Sequence, residues 1–386
     1  SLAAMVGALE RSTLTSSQQT VANSIAAKVD QFLNNQAPGY AAFVDPVFGI
    51  FRSSVNTQTG VFDNYIDRLA NEFRGAVAFL KVRYPTLPNT VWTGLAPVFK
   101  DYVDASNRTI RNLAYYDGAA FQAFWPFLRN DERGFIGFRN ALHNALVTFA
   151  DYSAFNRFPG FLSAAQRPDD GYFGRIGIRS IAETPLDLMT DLGSTYALAG
   201  ALSLDPLAVL TWLNAIEDQL PGLLGSYGFF GAARSPTEIA RRFLGIDIAS
   251  TVLGLADGGS QAFETYLRNR GLELSYNLLY DQVSSGLNVS KTSAPVAAPP
   301  VFADRSLAVF ANFTSEGTIN NFPGQLTTFS GVRFQYGALT GGFGGRFWNI
   351  PVYDARANRL VLHYSITDTP DKMKLEFKDA SDNLLL

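Results

Sequence analysis

Four acidic side chains stand where a carboxyl group could act on a substrate. Asp169 and Asp170 are adjacent in the run Pro168-Asp169-Asp170-Gly171-Tyr172-Phe173-Gly174, Glu183 precedes Thr184-Pro185, and Asp247 closes Gly245-Ile246-Asp247. The Gly and Pro around them mark loops rather than element interiors. The chemistry such groups offer is acid/base hydrolysis: to cut a glycosidic bond, one carboxylic acid protonates the leaving oxygen and a second carboxylate activates water or attacks the sugar. Like-charge repulsion between Asp169 and Asp170 predicts a raised pKa for one of them, the property a general acid needs. The chain has 34 acidic residues, so the presence of a pair says little, and a solvated turn or helix cap is the commoner role for each. On loop context the catalytic candidates are Asp170, Glu183 and Asp247. Tyr172, Phe173, Tyr227, Phe229 and Phe230 are candidates for a substrate-binding wall, with Arg175, Arg179 and Arg234 donating to hydroxyls.

Composition narrows the alternatives. The chain has no cysteine and two histidines, His143 and His363, far apart in the sequence. Disulfides, thiolate metal sites and a Cys nucleophile are excluded, a zinc site or Ser-His-Asp triad nearly so, and no metal or organic cofactor is expected. The net charge of -3 leaves no basic footprint for nucleic acid. Aromatic residues make up 13% of the chain, with 31 Phe, 16 Tyr and 4 Trp. Most of them fill the core, but aromatic rings also serve as platforms for the apolar faces of sugars. The opening Ser1-Leu2-Ala3-Ala4-Met5-Val6 is apolar for much less than a membrane span and has no basic leader, so it reads as a processed mature end. A secreted or periplasmic bacterial protein that does not span a membrane is expected.

The elements that must hold these residues read as helices as far as residue 288. Val21, Ile25, Val29 and Phe32 recur at helical spacing, and further helices are expected over 62–84, 93–116, 119–129 and 135–151. Asp205-Pro206 is an N-cap followed by proline, opening a helix with Val209, Trp212, Leu213, Ile216 and Leu220 on one stripe. Ser235-Pro236-Thr237-Glu238 has the form of a capping box, and Ser260–Arg270 makes one more helix ended by Gly271. Many helices joined by Gly- and aromatic-rich loops predict antiparallel hairpins in a ring or bundle. Residues 289–301 are rich in Pro and Ala and read as a semi-rigid linker. Beyond it, over 302–386, the period becomes two, as in Leu360, Leu362, Tyr364 and Ile366, which predicts a small antiparallel β domain.

One stretch carries a resemblance. Ala199-Gly200-Ala201-Leu202-Ser203-Leu204-Asp205-Pro206 with its helix, then Gly222-Leu223-Leu224-Gly225-Ser226-Tyr227-Gly228-Phe229-Phe230-Gly231-Ala232, then Gly245-Ile246-Asp247, resembles the glucoamylase-like and β-1,2-glucanase-like bacterial glycoside hydrolases. The resemblance implies an α/α toroid of six helical hairpins with an aromatic, acidic cleft at one end. It covers about seventy residues well. Where the family pattern has Tyr-Gly-Phe-Tyr-Asp-Ala, this chain has Phe230 and Gly231 in place of the second tyrosine and the aspartate. Where the family continues Gly-Ile-Asp-Gln-Gly-Pro toward Ile-Glu-Asn, this chain has Ile248-Ala249-Ser250, and later Ala256 and Asp257.

Two readings of function follow. In the first, the chain is an exported α/α-toroid glycoside hydrolase-like protein that cleaves or binds a β-glucan, with a C-terminal β-sandwich resembling carbohydrate-binding modules and an oligosaccharide or polysaccharide as partner. In the second, its chemistry is lost and it is an extracellular structural or glycan-binding component that forms a homo-oligomer or polymer through the β domain. The three terminal leucines, Leu384-Leu385-Leu386, predict either a natural chain that continues or a domain completed by a neighbour's strand.

Overall fold

The computed structural model describes residues 2–302, apart from 186 and 258, and four short strands beyond them, Thr318–Ile319, Leu326–Thr328, Val332–Phe334 and Arg346–Phe347. The chain divides into two units, the first holding the described residues up to 302 and the second the four short strands. In the second, Thr318–Ile319 pairs antiparallel with Arg346–Phe347, and Leu326–Thr328 with Val332–Phe334. The remainder of the expected β-sandwich over 302–386 and the terminal leucines lie outside the described residues.

The first unit is about half helical, with several small antiparallel sheets. Its axis of packing is the helix Ile136–Asn156, which is buried on nearly every side. That helix explains a polar residue in the core: Asn144, 1% exposed, donates through Nδ2 to the carbonyls of Arg111 and Ser290 and accepts through Oδ1 from Thr292 N–H. One amide thus pins a β-hairpin and the run after residue 288 to the central helix. Farther along that run, Trp212 Nε1 donates 2.8 Å to the Ala297 carbonyl and Phe302 packs on Trp212, so the Pro/Ala-rich segment lies along the helical body.

The cap signals mostly do what their chemistry dictates. Asp205 accepts from Ala208 N–H at 3.0 Å and opens the helix Pro206–Gln219, whose Val209, Trp212 and Ile216 are buried. The helices Ala120–Arg129 and Ser260–Asn269 form as expected. Other expectations are corrected. Over 93–116 the chain makes the hairpin Phe99–Val103 with Thr109–Leu113, because Asp104 accepts from Ser106 and Arg108 N–H and holds a turn in which Asn107 takes φ +60°. Over 62–84 a strand, Phe62–Tyr65, precedes the shorter helix Arg74–Arg83. Ser235 accepts from Thr237 and Glu238 N–H as a capping serine would, yet a two-residue strand, Ile239–Ala240, follows instead of a helix. In the helix Ser16–Asn35 the buried residues are Ala22 and Leu33, with Ala26 and Val29 against the core, while Val21, Ile25 and Phe32 are exposed. Small residues allow the closer approach and win the interface.

The elements nearest Asp247 are a four-stranded antiparallel sheet and two helices. Ile239–Ala240, Ala232–Ala233, Gly193–Ser194 and Phe161–Leu162 pair in that order, and every residue of the four is buried. The helix Thr195–Ala199 leaves this sheet and packs on the helix Gly245–Leu255. Their approach is set by Gly254, where a Cβ would fall 2.0 Å from the Ala199 carbonyl oxygen. A backbone oxygen cannot swing aside as a side chain can. Gly254→Ala is therefore expected to cost about 1–3 kcal/mol or more, as overpacking does, read as a lower urea midpoint with an unchanged slope. An unchanged midpoint would mean that the two helices part without cost.

Candidate active site

Asp247 lies in the first turn of the helix Gly245–Leu255 and is 6% exposed. A helix N-terminus favours a carboxylate by about 0.3–1 kcal/mol. Burial outweighs it and pushes the Asp247 carboxyl up to about 7. Its Oδ2 is buried, and no donor among the described residues reaches it. The negative charge is felt by Tyr172 and Tyr196, whose hydroxyl pKa values are raised first by burial and then by Asp247. Tyr196 Oη is itself fixed, 2.7 Å from Ser163 Oγ and 2.8 Å from the Ala164 carbonyl.

A second surface adjoins this one through Tyr196, whose ring lies 6.3 Å from that of Trp125. Trp125 in turn lies 4.9 Å from Phe121. Phe121, Trp125 and Arg129 are spaced i, i+4, i+8 on the helix Ala120–Arg129, and they form its least buried line while Phe124, Phe127 and Leu128 face the core. Trp125 Nε1 is buried without an acceptor, a donor with nothing to hold. An aromatic ridge with a free N–H beside a carboxyl with a free oxygen is the arrangement a polyhydroxylated ligand can satisfy.

Two further carboxyl groups flank the same helix, and sequence reading passed over both. Asp117, two residues before the N-cap Ala119, is 7% exposed, and burial raises its pKa although Arg175 Nε lies 3.1 Å away. Glu72, beside Arg129, is raised by burial, with Asp117's charge adding to the shift. Only the fold brings the two close enough to repel.

The sequence candidates fall in different places. Tyr172 and Asp247 share one neighbourhood, and Phe230 joins it through Gly231, whose Cβ position is 2.9 Å from Asp247 Oδ2. Asp170 is more than half exposed and bonded by Arg242, with Nε 2.6 Å from Oδ1; its pKa is lowered, first by that bond, so the raised value expected of the Asp169–Asp170 pair is not found there. Asp169 pairs with Arg167. Glu183 is ion-paired with Arg68 and leaves Oε2 buried and unpartnered, and the neighbouring Thr184 is tied to Asp117, since Arg175 bridges Asp117 to the Thr184 carbonyl. Of the arginines expected to meet hydroxyls, Arg179 donates to the Pro185 carbonyl and Arg234 pairs with Asp191. Phe173 and Phe229 pack on the core. Phe230 stacks on Phe243 at 4.7 Å, and Tyr227, 78% exposed at a hairpin tip, meets the same Phe243 edge-on at 5.5 Å. Among the described residues no group of three His, Cys, Asp or Glu could hold a metal, and no helix is long and apolar enough to cross a membrane.

The chain has the glucoamylase-like, β-1,2-glucanase-like fold. An endo-β-1,2-glucanase from Talaromyces funiculosus, solved with sophorose, superposes with a TM-score of 0.67 over 79% of this chain and 66% of its own length, at 16% identity. An endo-β-1,2-glucanase from Chitinophaga pinensis, solved with sophorotriose and glucose, gives 0.53 over 72% and 68% at 16% identity. A Bacteroides uniformis protein with an inferred glucoamylase activity gives 0.55 over 72% and 68% at 15% identity. The chain thus spans less than two thirds of the fungal enzyme's length. At these identities the likeness is one of fold. No protein-family model matches the sequence, and no curated protein does.

Proposed function

We propose that this chain is a glycoside hydrolase-like protein acting on a β-glucan, with Asp247 at the centre of its site. The observation that carries the reading is the buried, unpartnered Oδ2 of Asp247 beside an aromatic ridge, in a fold shared with β-1,2-glucanases. Held near neutrality, the Asp247 carboxyl can take or give a proton at physiological pH. Phe121 and Trp125 offer a face to the sugar ring, and Trp125 Nε1 a donor to a hydroxyl. Glu72 or Asp117 supplies the second carboxyl that bond cleavage requires. The α/α toroid, export from the cell and an oligosaccharide partner belong to the same reading.

The test is release of reducing sugar from β-1,2-, β-1,3- and mixed β-glucans by the wild type, Asp247→Asn, Glu72→Gln and Asp117→Asn. Cleavage of one glucan by the wild type and loss of at least a hundredfold in Asp247→Asn is expected, within the range general acid–base groups contribute. The rival reading, glycan binding or assembly without cleavage, is favoured by the ion pairs that occupy Asp170 and Glu183. Retention of glucan by a wild type that releases no sugar would establish it.

A further inference from the structure

The space next to Asp247 Oδ2 is kept open by one residue. A Cβ added at Gly231 would stand 2.9 Å from Oδ2, inside contact distance, and the next nearest atom, the Arg242 carbonyl oxygen, is 3.9 Å away. The backbone does not demand glycine here. Gly231 is not among the residues of positive φ, and its N–H donates to the Arg242 carbonyl while its own carbonyl accepts from Thr195 N–H, bonds that any residue could make. The two strand residues that follow, Ala232 and Ala233, already carry side chains in the buried sheet. A methyl group at 231 would therefore meet the Asp247 carboxyl and little else.

We propose that Gly231 is a positioning residue: by carrying no side chain it leaves Asp247 Oδ2 room to hold an O–H donor, either a hydroxyl of the sugar or a water molecule. The donor's identity rests on the glycan reading above. The relation of Gly231 to Asp247 does not. A buried acceptor with nothing bound to it is costly and is found where a ligand completes the bond, and here the orphan oxygen faces a position that carries no side chain and has only one other atom within 4 Å of where a Cβ would stand. The titratable and charged neighbours are Tyr172 and Tyr196, which sense the carboxyl, and the Arg242–Asp170 pair, tied in through the Arg242 carbonyl.

The experiment compares Gly231→Ala, Asp247→Asn and the double variant in the full chain, with melting temperature, carbon-13 NMR titration of the Asp247 carboxyl, and glucan cleavage as readouts. Gly231→Ala should melt as the wild type does, shift the Asp247 titration midpoint measurably, and lower cleavage at least tenfold. The double variant should lose no more than Asp247→Asn alone, because one residue acts through the other. A fall in kcat at constant KM assigns the donor as water, and a rise in KM or in the Kd for β-1,2-glucan assigns it as a sugar hydroxyl. If Gly231→Ala melts lower, placing it in an Asp247→Ala background should restore the melting temperature, and a loss that persists there overturns the proposal. So does an unchanged titration, or losses that simply add. A wild type that neither cleaves nor binds any glucan removes the functional reading, while the titration still decides what Gly231 does.

Discussion

Asp247→Asn is expected to abolish glucan cleavage and yet to leave the protein more stable than the wild type at pH 8. The sign follows from the protonation states. The folded pKa of about 7 lies above the ordinary value of 3.8, so between those limits the folded state keeps a proton that the unfolded state has lost. Stability therefore declines as pH rises from about 4 to about 7 and is level above that. A difference of about 3 pKa units, at 1.36 kcal/mol each, sets an upper bound of about 4 kcal/mol. An asparagine is neutral at every pH and escapes this penalty. Urea unfolding of both proteins at pH 4, 6 and 8 checks it: the variant's advantage should be near zero at pH 4 and grow to a few kcal/mol at pH 8. An advantage that does not change with pH would show that Asp247 is not desolvated. A stabilising change that removes function is what a site held ready for a ligand predicts, because natural proteins keep such costs only where activity needs them.

How much of this was legible beforehand depends on the distance over which each signal acts. Asp205-Pro206 caps its helix because the hydrogen bond to Ala208 is local, and local chemistry reads directly from the sequence. Ser235 shows the limit: its two cap-like bonds form, but Ile239–Ala240 is claimed by Ala232–Ala233, a partner no local rule can name. The 93–116 segment misled because Phe99, Tyr102, Ile110 and Leu113 suit a helix period as well as a hairpin, and the Asp104 turn decides between them. Asp247 was picked out by the Gly-Ile-Asp turn that carries the resemblance, while its burial and its unpartnered oxygen have no mark in sequence. Glu72 and Asp117 carry no mark in sequence, since burial raises both pKa values and, for Glu72, the charge of Asp117 adds to it. The lowered pKa of Asp170 was hidden for the complementary reason: its neighbour Asp169 was visible, and Arg242, seventy-two positions away, was not.

Breaking the Arg74–Glu132 pair is expected to cause the largest loss of stability of any single change here. Arg74 is 2% exposed and Glu132 0%, and they meet through two bonds, Nε to Oε1 at 2.7 Å and Nη2 to Oε2 at 2.6 Å. Arg74 does more than neutralise a charge. Pro126 sits inside the helix Ala120–Arg129 and has no N–H to give the Gln122 carbonyl four residues back. Arg74 Nη1 supplies that missing donor at 3.0 Å, and Nη2 reaches the Ala123 carbonyl at 3.0 Å. The guanidinium thus repairs the break in the very helix that carries Phe121 and Trp125, and its charge also partly opposes the burial-driven rise in the pKa of Glu72. Glu132→Gln leaves a buried cation without its counter-charge and should cost about 3–5 kcal/mol. Arg74→Met with Glu132→Leu removes both charges, so what remains is the loss of donors to the Gln122, Ala123 and Asn71 carbonyls and of an acceptor for the Tyr280 hydroxyl, the Gln122 carbonyl being the one the helix cannot satisfy, at about 1–3 kcal/mol. Equilibrium unfolding of the single and double variants gives the comparison. If the double variant is as unstable as Glu132→Gln, the loss lies in packing around Tyr280, whose hydroxyl donates to Glu132 at 3.3 Å, and not in the unpaired charge.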